Sequence, residues 1–205
     1  MEDELEILIQ FLQVHHTRTR EQSGKEFIAH LCGTRQLLAQ WGGRTALCRA
    51  GLFHSVYGTD ACPDATVPDS LRNHVRQLIG TEAEQIAWLF CVMERATLVD
   101  NVNRAGEFRV KNRHTNEPIP LNATEVSDLS HLLLANVLEV LRAVPPRHRA
   151  AVWPMAYANL LPFRPVVLRA AQSAIDALVL STADPHGAHF WRSFEADGRQ
   201  ANRLW

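Results

Sequence analysis

His30 and His54 are the residues best placed by type and spacing to do chemistry. Phe27, His30, Leu31, Thr34, Leu38 and Trp41 recur in steps of three and four, and Leu47, Ala50, Gly51 and His54 form a second stripe of the same kind. Residues at those steps share one face of a helix, so each histidine is expected to turn inward from its own helix. If the two helices cross at these points, two neutral imidazole nitrogens are offered to one divalent ion. The alternative is a pair of core histidines hydrogen-bonded to backbone or to Tyr57. Tyr57 itself, three residues beyond His54, is a candidate acid-base group whose phenol can donate to a substrate oxygen. Its structural alternative is to close the end of its helix with a hydrogen bond.

Arg18, Arg20, Arg35 and Arg44 lie near the first histidine in sequence, and a guanidinium suits bidentate phosphate recognition. Arg20 and Arg35 are taken as the substrate-binding candidates, against the alternative of solvated surface charges. Arg109, Lys111, Arg113 and His114 make a second small basic cluster with the same two readings. His15-His16 and His186-x-x-His189 have metal-pair spacing but fall at a helix end and in a weakly patterned tail. Trp88, Trp153, Trp191 and Trp205 stand apart from basic residues and read as packing anchors rather than a stacking platform for bases.

The elements that must position these groups are mainly helical. Residues 5–14 are nearly continuously apolar and predict a helix buried on much of its surface. Ser23 with Glu26 spells a capping box, which starts a helix near Gly24 that stops at Gly42-Gly43. A third helix is expected from Thr45 to about Val56, with Gly51 permitting close approach of a neighbour. Residues 58–69 have the composition of an irregular connection, followed by a helix through Leu71, Val75 and Leu78. Thr81 with Glu84 spells a second capping box and opens a helix to about Ala96. Residues 108–121 alternate around a polar turn and predict a β-hairpin, and a long helix follows from Thr124 to Arg142. Pro145-Pro146 ends that helix, and Pro154, Pro162 and Pro165 are expected to break the next region into short helices. A last helix is placed over about Val166 to Leu180.

Composition narrows the function classes. The chain has 205 residues, 46% hydrophobic content and a formal net charge of −1, which suit one domain with a substantial core. With acidic and basic residues interspersed, broad nucleic-acid or anionic-membrane binding is not expected. No apolar run approaches the length needed to span a bilayer, and the acidic start Met1-Glu2-Asp3-Glu4 is unlike a targeting signal, so a cytoplasmic location is expected. Cys32, Cys48, Cys62 and Cys91 show no paired spacing and read as reduced thiols.

The segment SGKEFIAH (Ser23 to His30) followed by AGLFHS (Ala50 to Ser55) resembles the start of the hydrolase domain of the stringent-response alarmone enzymes, members of the HD-type metal-dependent phosphohydrolases. There a Ser-Gly-x-x-aromatic-Ile-x-His segment precedes an Ala-rich helix carrying a His-Asp pair. The likeness covers roughly residues 20–100 and includes the aliphatic-Gly-x-Glu segment at Leu78 to Glu82. The chain also resembles a group of uncharacterised bacterial and fungal domains with the signatures His-Leu-x-Gly-Thr and Phe-His-Ser-x-Tyr-Gly-Thr, here His30 to Thr34 and Phe53 to Thr59.

The resemblance implies an all-α, HD-like helical domain with a small inserted β-hairpin: an N-terminal helix and loop (1–22), an HD-like core (23–143) and C-terminal helices and tail (144–205). It also implies a divalent ion, manganese, iron or zinc, held by His30 and His54. The departures are specific. Ser55 stands at the aspartate of the His-Asp pair, Gly58-Thr59 occupy the place of an acidic pair that orients water, and Asn136 is the nearest match to the final aspartate ligand, with Asp128 and Glu139 as alternatives on the same helix. Two imidazoles without anionic partners hold a cation weakly. The expected function is therefore an enzyme acting on a small, phosphorylated or nucleotide-like molecule, with His30, His54 and Asn136 as metal ligands, His54 and Tyr57 as catalytic groups, and Arg20, Arg35 and Asn136 meeting substrate. The alternative is a metal-free, hydrolase-derived ligand-binding or scaffold protein.

Overall fold

In the computed structural model, residues 2–17, 24–60, 62–102 and 107–180 are described. Helix α1 is Glu2–Thr17, α2 is Gly24–Gln40, α3 is Thr45–Phe53, α4 is Arg72–Ile79, α5 is Thr81–Val92 and α6 is Ala96–Val102. Strands β1 (Phe108–Lys111) and β2 (Pro118–Leu121) follow, then α7 (Ala123–Ala143), α8 (Pro146–Leu160) and α9 (Arg169–Leu180). The fold is all-α with one inserted antiparallel hairpin, in which Phe108 pairs with Leu121 and Lys111 with Pro118.

Helices α2, α3, α5 and α7 pack on one another and enclose the core. Leu31, Leu38, Phe53, Phe90, Leu129 and Leu132 are fully buried where they meet. Gly51 sets the closest approach: a Cβ added there would stand 2.5 Å from Leu38 Cδ1 and 3.4 Å from Arg35 Cα. A side chain there would have to displace the tip of Leu38 from the packed core, so Gly51 lets α3 lie against α2 with that leucine in place.

Several elements differ from the sequence expectation. Helix α3 stops at Phe53 rather than continuing to Val56, and His54 is its C-cap. The chain then turns through Gly58, whose φ of 75° suits a residue without a Cβ. The carbonyl of Val56 accepts from both Thr66 and Val67 N–H at 2.9 Å, closing the connection. The Thr81–Glu84 capping box does not form. The N-cap there is Gly80, which has no side chain to offer, and Glu84 turns inward. A true capping box opens α7 instead: the Asn122 side chain accepts from Glu125 N–H, and the Glu125 carboxylate accepts from Asn122 N–H, each at 2.9 Å. The Ser23–Glu26 box falls partly outside the described residues.

Helix α5 ends at Val92, and a separate α6, not anticipated from the sequence, follows over Ala96–Val102. Helix α8 runs unbroken through Pro154; that proline forfeits one ladder bond, while Pro162 and Pro165 fall in a 3-10 segment, Leu161–Val166. Helix α1 buries Leu8 and Leu12 but leaves Ile7 and Val14 more than half exposed, so it is sided rather than enclosed. The four cysteines are free thiols. Among the described residues, no helix is long and apolar enough to cross a membrane.

Candidate functional site

Helices α2, α3 and α7 each contribute to one cluster. From α2, His30 directs Nε2 to within 3.3 Å of His54 Nε2, and to within 3.1 Å of Asn136 Oδ1 on α7. The other nitrogen of His30, Nδ1, bonds the carboxylate of Glu139, one turn beyond Asn136. Asn136 and Glu139 share a helix face because they are three residues apart, so one face of α7 meets both nitrogens of one imidazole. His54 uses its Nδ1–H to donate to the Gly51 carbonyl at 2.7 Å. Its own carbonyl accepts from the Cys91 thiol at 3.1 Å, and the Phe90 ring meets its imidazole edge-on at 5.6 Å.

Electrostatics follow from burial. His54 is 1% exposed, and its pKa is lowered to about 3 by desolvation, then by the charges of His30 and Arg95, against the opposing pull of the Gly51 carbonyl and the Asn136 side chain. It is therefore neutral, and with Nδ1 bearing the proton its Nε2 presents a lone pair. His30 and Glu139 have side chains about one-fifth exposed, so the cluster meets solvent on that side.

The hydrogen-bond inventory of this cluster does not close by itself. A carbonyl and an ionised carboxylate only accept, so both Nδ1 atoms are donors, and with both rings singly protonated each turns an unprotonated Nε2 toward the other. Two nitrogen lone pairs and an amide oxygen then face one another at 3.3 and 3.1 Å. Such a set is held together by a second proton on an imidazole, by a reversed amide, or by a cation among the three atoms. Four ligands at about 2.0–2.1 Å from a tetrahedral ion lie roughly 3.3–3.4 Å apart, close to the spacing seen here. The donor set His, His, Asn thus fits a small divalent ion, with Glu139 as the outer carboxylate that fixes the tautomer of His30. Among the described residues, no group of three or more His, Cys, Asp or Glu side chains gathers around one metal position.

The remaining candidates lie elsewhere. The Tyr57 phenol donates to Glu84 at 3.2 Å, and burial followed by the Glu84 charge pushes its pKa well above the usual range, so it is bound in a structural network. In that network Glu84 is fully buried and accepts from Arg72 Nε at 2.7 Å and Arg76 Nη2 at 3.0 Å. Arg35 lines a cleft with Leu8, Cys48 and Arg49 between α1 and α3, away from the imidazole pair. Arg20, His186 and His189 lie outside the described residues. Asp128 is paired with Arg44, two helical turns before Asn136, and Ser55 is buried beside His54. The basic groups of the hairpin have acidic partners: Arg109 with Glu107, Lys111 with Glu94, and Arg113 with Asp60.

One charged group near the site escaped the sequence reading. Arg95 lies with its guanidinium carbon 4.9 Å over the Phe90 ring, and its charge acts on His54. It belongs to the short link between α5 and α6, where no periodicity marks it.

Residues 11–95 match a protein family described as a domain of unknown function (DUF6817). His30 and His54 fall inside the matched stretch, whereas Asn136 and Glu139 lie beyond it. No curated protein and no solved structure matches the chain.

Proposed function

We propose that this chain is an HD-like enzyme that acts on a small, phosphorylated molecule at a divalent-metal site formed by His30, His54 and Asn136. The observation that carries the reading is the convergence of two imidazole Nε2 atoms and an amide oxygen at ligand-edge spacing, with both Nδ1 atoms committed elsewhere. The resemblance of SGKEFIAH and AGLFHS to the alarmone hydrolases supports the same assignment.

A divalent ion there supplies Lewis acidity toward a phosphoryl oxygen. The protein's own part is positional. Glu139 keeps the Nδ1 proton on His30, and the Gly51 carbonyl keeps it on His54, so both Nε2 atoms stay available without a rotamer search. The Phe90 ring excludes water from one flank of His54. The neutral donor set makes the affinity for the ion modest, and Ser55 adds no negative charge where the HD pattern has one.

A specific observation also favours the second reading, a metal-free, ligand-binding or scaffold protein. His54 is enclosed and neutral, and Asn136 can satisfy an imidazole by turning its amide. Elemental analysis separates the two. Protein purified without chelator or a metal-binding tag is expected to carry near-stoichiometric manganese, iron or zinc, lost in the His30→Ala, His54→Ala double variant. Protein that stays metal-free after incubation with all three ions removes the metalloenzyme reading and leaves the scaffold.

A further inference from the structure

Thr34 lies one turn beyond His30 on α2, at the last position of the His-Leu-x-Gly-Thr signature, and is fully buried. Its hydroxyl has no hydrogen-bond partner among the described residues. A threonine within a helix can satisfy its hydroxyl on the carbonyl three or four residues back, and this one does not. A buried polar group left unpaired has given up its hydration without return, which is why such groups are few and call for an explanation.

The ring of His54 lies over this position. Its Nδ1–H donates to the Gly51 carbonyl at 2.7 Å, and its Nε2 comes within 3.3 Å of His30 Nε2. Gly51 in turn rests on Arg35: a Cβ added to the glycine would stand 3.4 Å from Arg35 Cα and 3.6 Å from its backbone nitrogen. The imidazole therefore spans the stretch of α2 from His30 to Arg35. Leu31 and Thr34 are the buried residues within that stretch, and of the two only Thr34 carries a polar atom in its side chain. Its hydroxyl bonds neither imidazole.

We infer that Thr34 is a positioning residue of the His30–His54–Asn136 site, and that its hydroxyl holds the water that serves as the fourth ligand there. Catalytic ions with three protein ligands take water in the fourth position. Side chains one turn apart on a helix stand about 5–6 Å apart at Cβ. A hydroxyl-to-water bond of about 2.8 Å, added to a metal–oxygen distance of about 2.0–2.2 Å, covers that gap. A hydroxyl oxygen accepts as well as donates, so it can take a proton of that water. The water then stands on the core side of the ion, and the edge where His30 and Glu139 meet solvent is left to the incoming molecule. The inference rests on the metal reading of the cluster and names the group that holds its non-protein ligand.

The test is Thr34→Val, which keeps the branched shape and nearly the same helix propensity while a methyl replaces the hydroxyl. In metal-free protein the urea midpoint of this variant is expected to equal or exceed that of wild type, because no bond of the fold is lost. Zinc affinity, read by competition with a chelating dye, should fall about 10- to 100-fold, the range for outer partners of a metal site. Thr34→Ser, which returns the hydroxyl, should restore most of that affinity. A lower midpoint for metal-free Thr34→Val shows that the hydroxyl already has a partner within the fold and overturns the inference. Zinc affinity that ignores Thr34→Val, or that Thr34→Ser fails to restore, overturns it as well and leaves the metal site standing. Wild-type protein that takes up no zinc, manganese or iron removes the metal reading itself, and this inference with it.

Discussion

His30 and Glu139, 109 residues apart in sequence, form a hydrogen bond that commits one imidazole nitrogen and thereby orients the other. The carboxylate holds the ring so that Nε2 faces His54 and Asn136, and it also supplies the only negative charge that the cluster's contacts among the described residues bring to either imidazole. Its loss should therefore be felt at the metal position rather than in the fold. Glu139→Gln is expected to lower affinity for a divalent ion about 10- to 100-fold, as for other outer partners of ligating histidines. Competition titration with a chelating dye reads this directly. An unchanged affinity would mean that Glu139 is only a surface partner of His30.

Asn136→Asp tests the donor set from the other side. A carboxylate in place of the amide adds an anionic ligand beside two neutral ones, and the affinity for manganese or zinc should rise at least tenfold. Asn136→Ala should lower it. If Asp weakens binding as much as Ala does, the amide oxygen does not face the ion, and His30, His54 and Asn136 do not form its site.

Tyr57 gives a contrast, since the structure commits its phenol to Glu84. Tyr57→Phe should cost about 1 kcal/mol of stability, the usual net value of one hydrogen bond, and leave metal binding unchanged. Glu84→Gln removes the charge shared by Arg72, Arg76 and Tyr57 from a fully buried position. Its cost should be about 2–4 kcal/mol, below the full penalty for an orphaned buried charge because both arginines reach solvent. Urea unfolding of the two variants checks the ranking. A Tyr57→Phe protein that lost metal or turnover would return Tyr57 to the active site.

Acid should destabilise the metal-free protein through its buried histidines. His54 is lowered to about 3 by burial first, and His131 is lowered for the same reason. The His131 Nδ1–H donates to the Ser127 carbonyl at 2.7 Å, and its Nε2 accepts from Leu168 N–H at 2.8 Å, so a second proton would face a donor. A histidine whose folded pKa lies below its unfolded value of about 6.5 contributes fully above pH 6.5, and the contribution is lost as pH falls toward the folded pKa. For His54 the window runs from about 6.5 to about 3 and is worth on the order of 5 kcal/mol. Urea midpoints measured from pH 7.5 to 4.5 should fall monotonically below 6.5, and His131→Gln should flatten part of that slope. A flat wild-type profile would mean that the rings are hydrated.

What was legible in the sequence divides by range. The facing stripes that carry His30 and His54 are local patterns, and the helices they predict are present and bring the two rings together. The hairpin and α7 were legible for the same reason. Thr81-x-x-Glu84 spells a capping box, but its glutamate is claimed by arginines on α4, a tertiary demand that local spelling cannot report. Asn122-x-x-Glu125 spells one too and does form, so the motif alone does not decide. Arg95 was invisible because its place over Phe90 and its charge near His54 arise only after folding.

The glycine of the His-Leu-x-Gly-Thr signature now has a physical reason. Gly33 lies one turn beyond His30, and a Cβ added there would stand 2.7 Å from Glu139 Cγ and 2.8 Å from Oε1. The obstacle is a flexible side chain rather than backbone, so Gly33→Ala should fold, and it gains helix propensity, while forcing the carboxylate off His30. Stability is expected to change by under about 1 kcal/mol, whereas metal affinity should fall about as far as in Glu139→Gln. Because both changes break the same contact, the double variant should be no weaker than either single one. Additive losses would show that Gly33 acts on the site by another route, through the position of α2 itself.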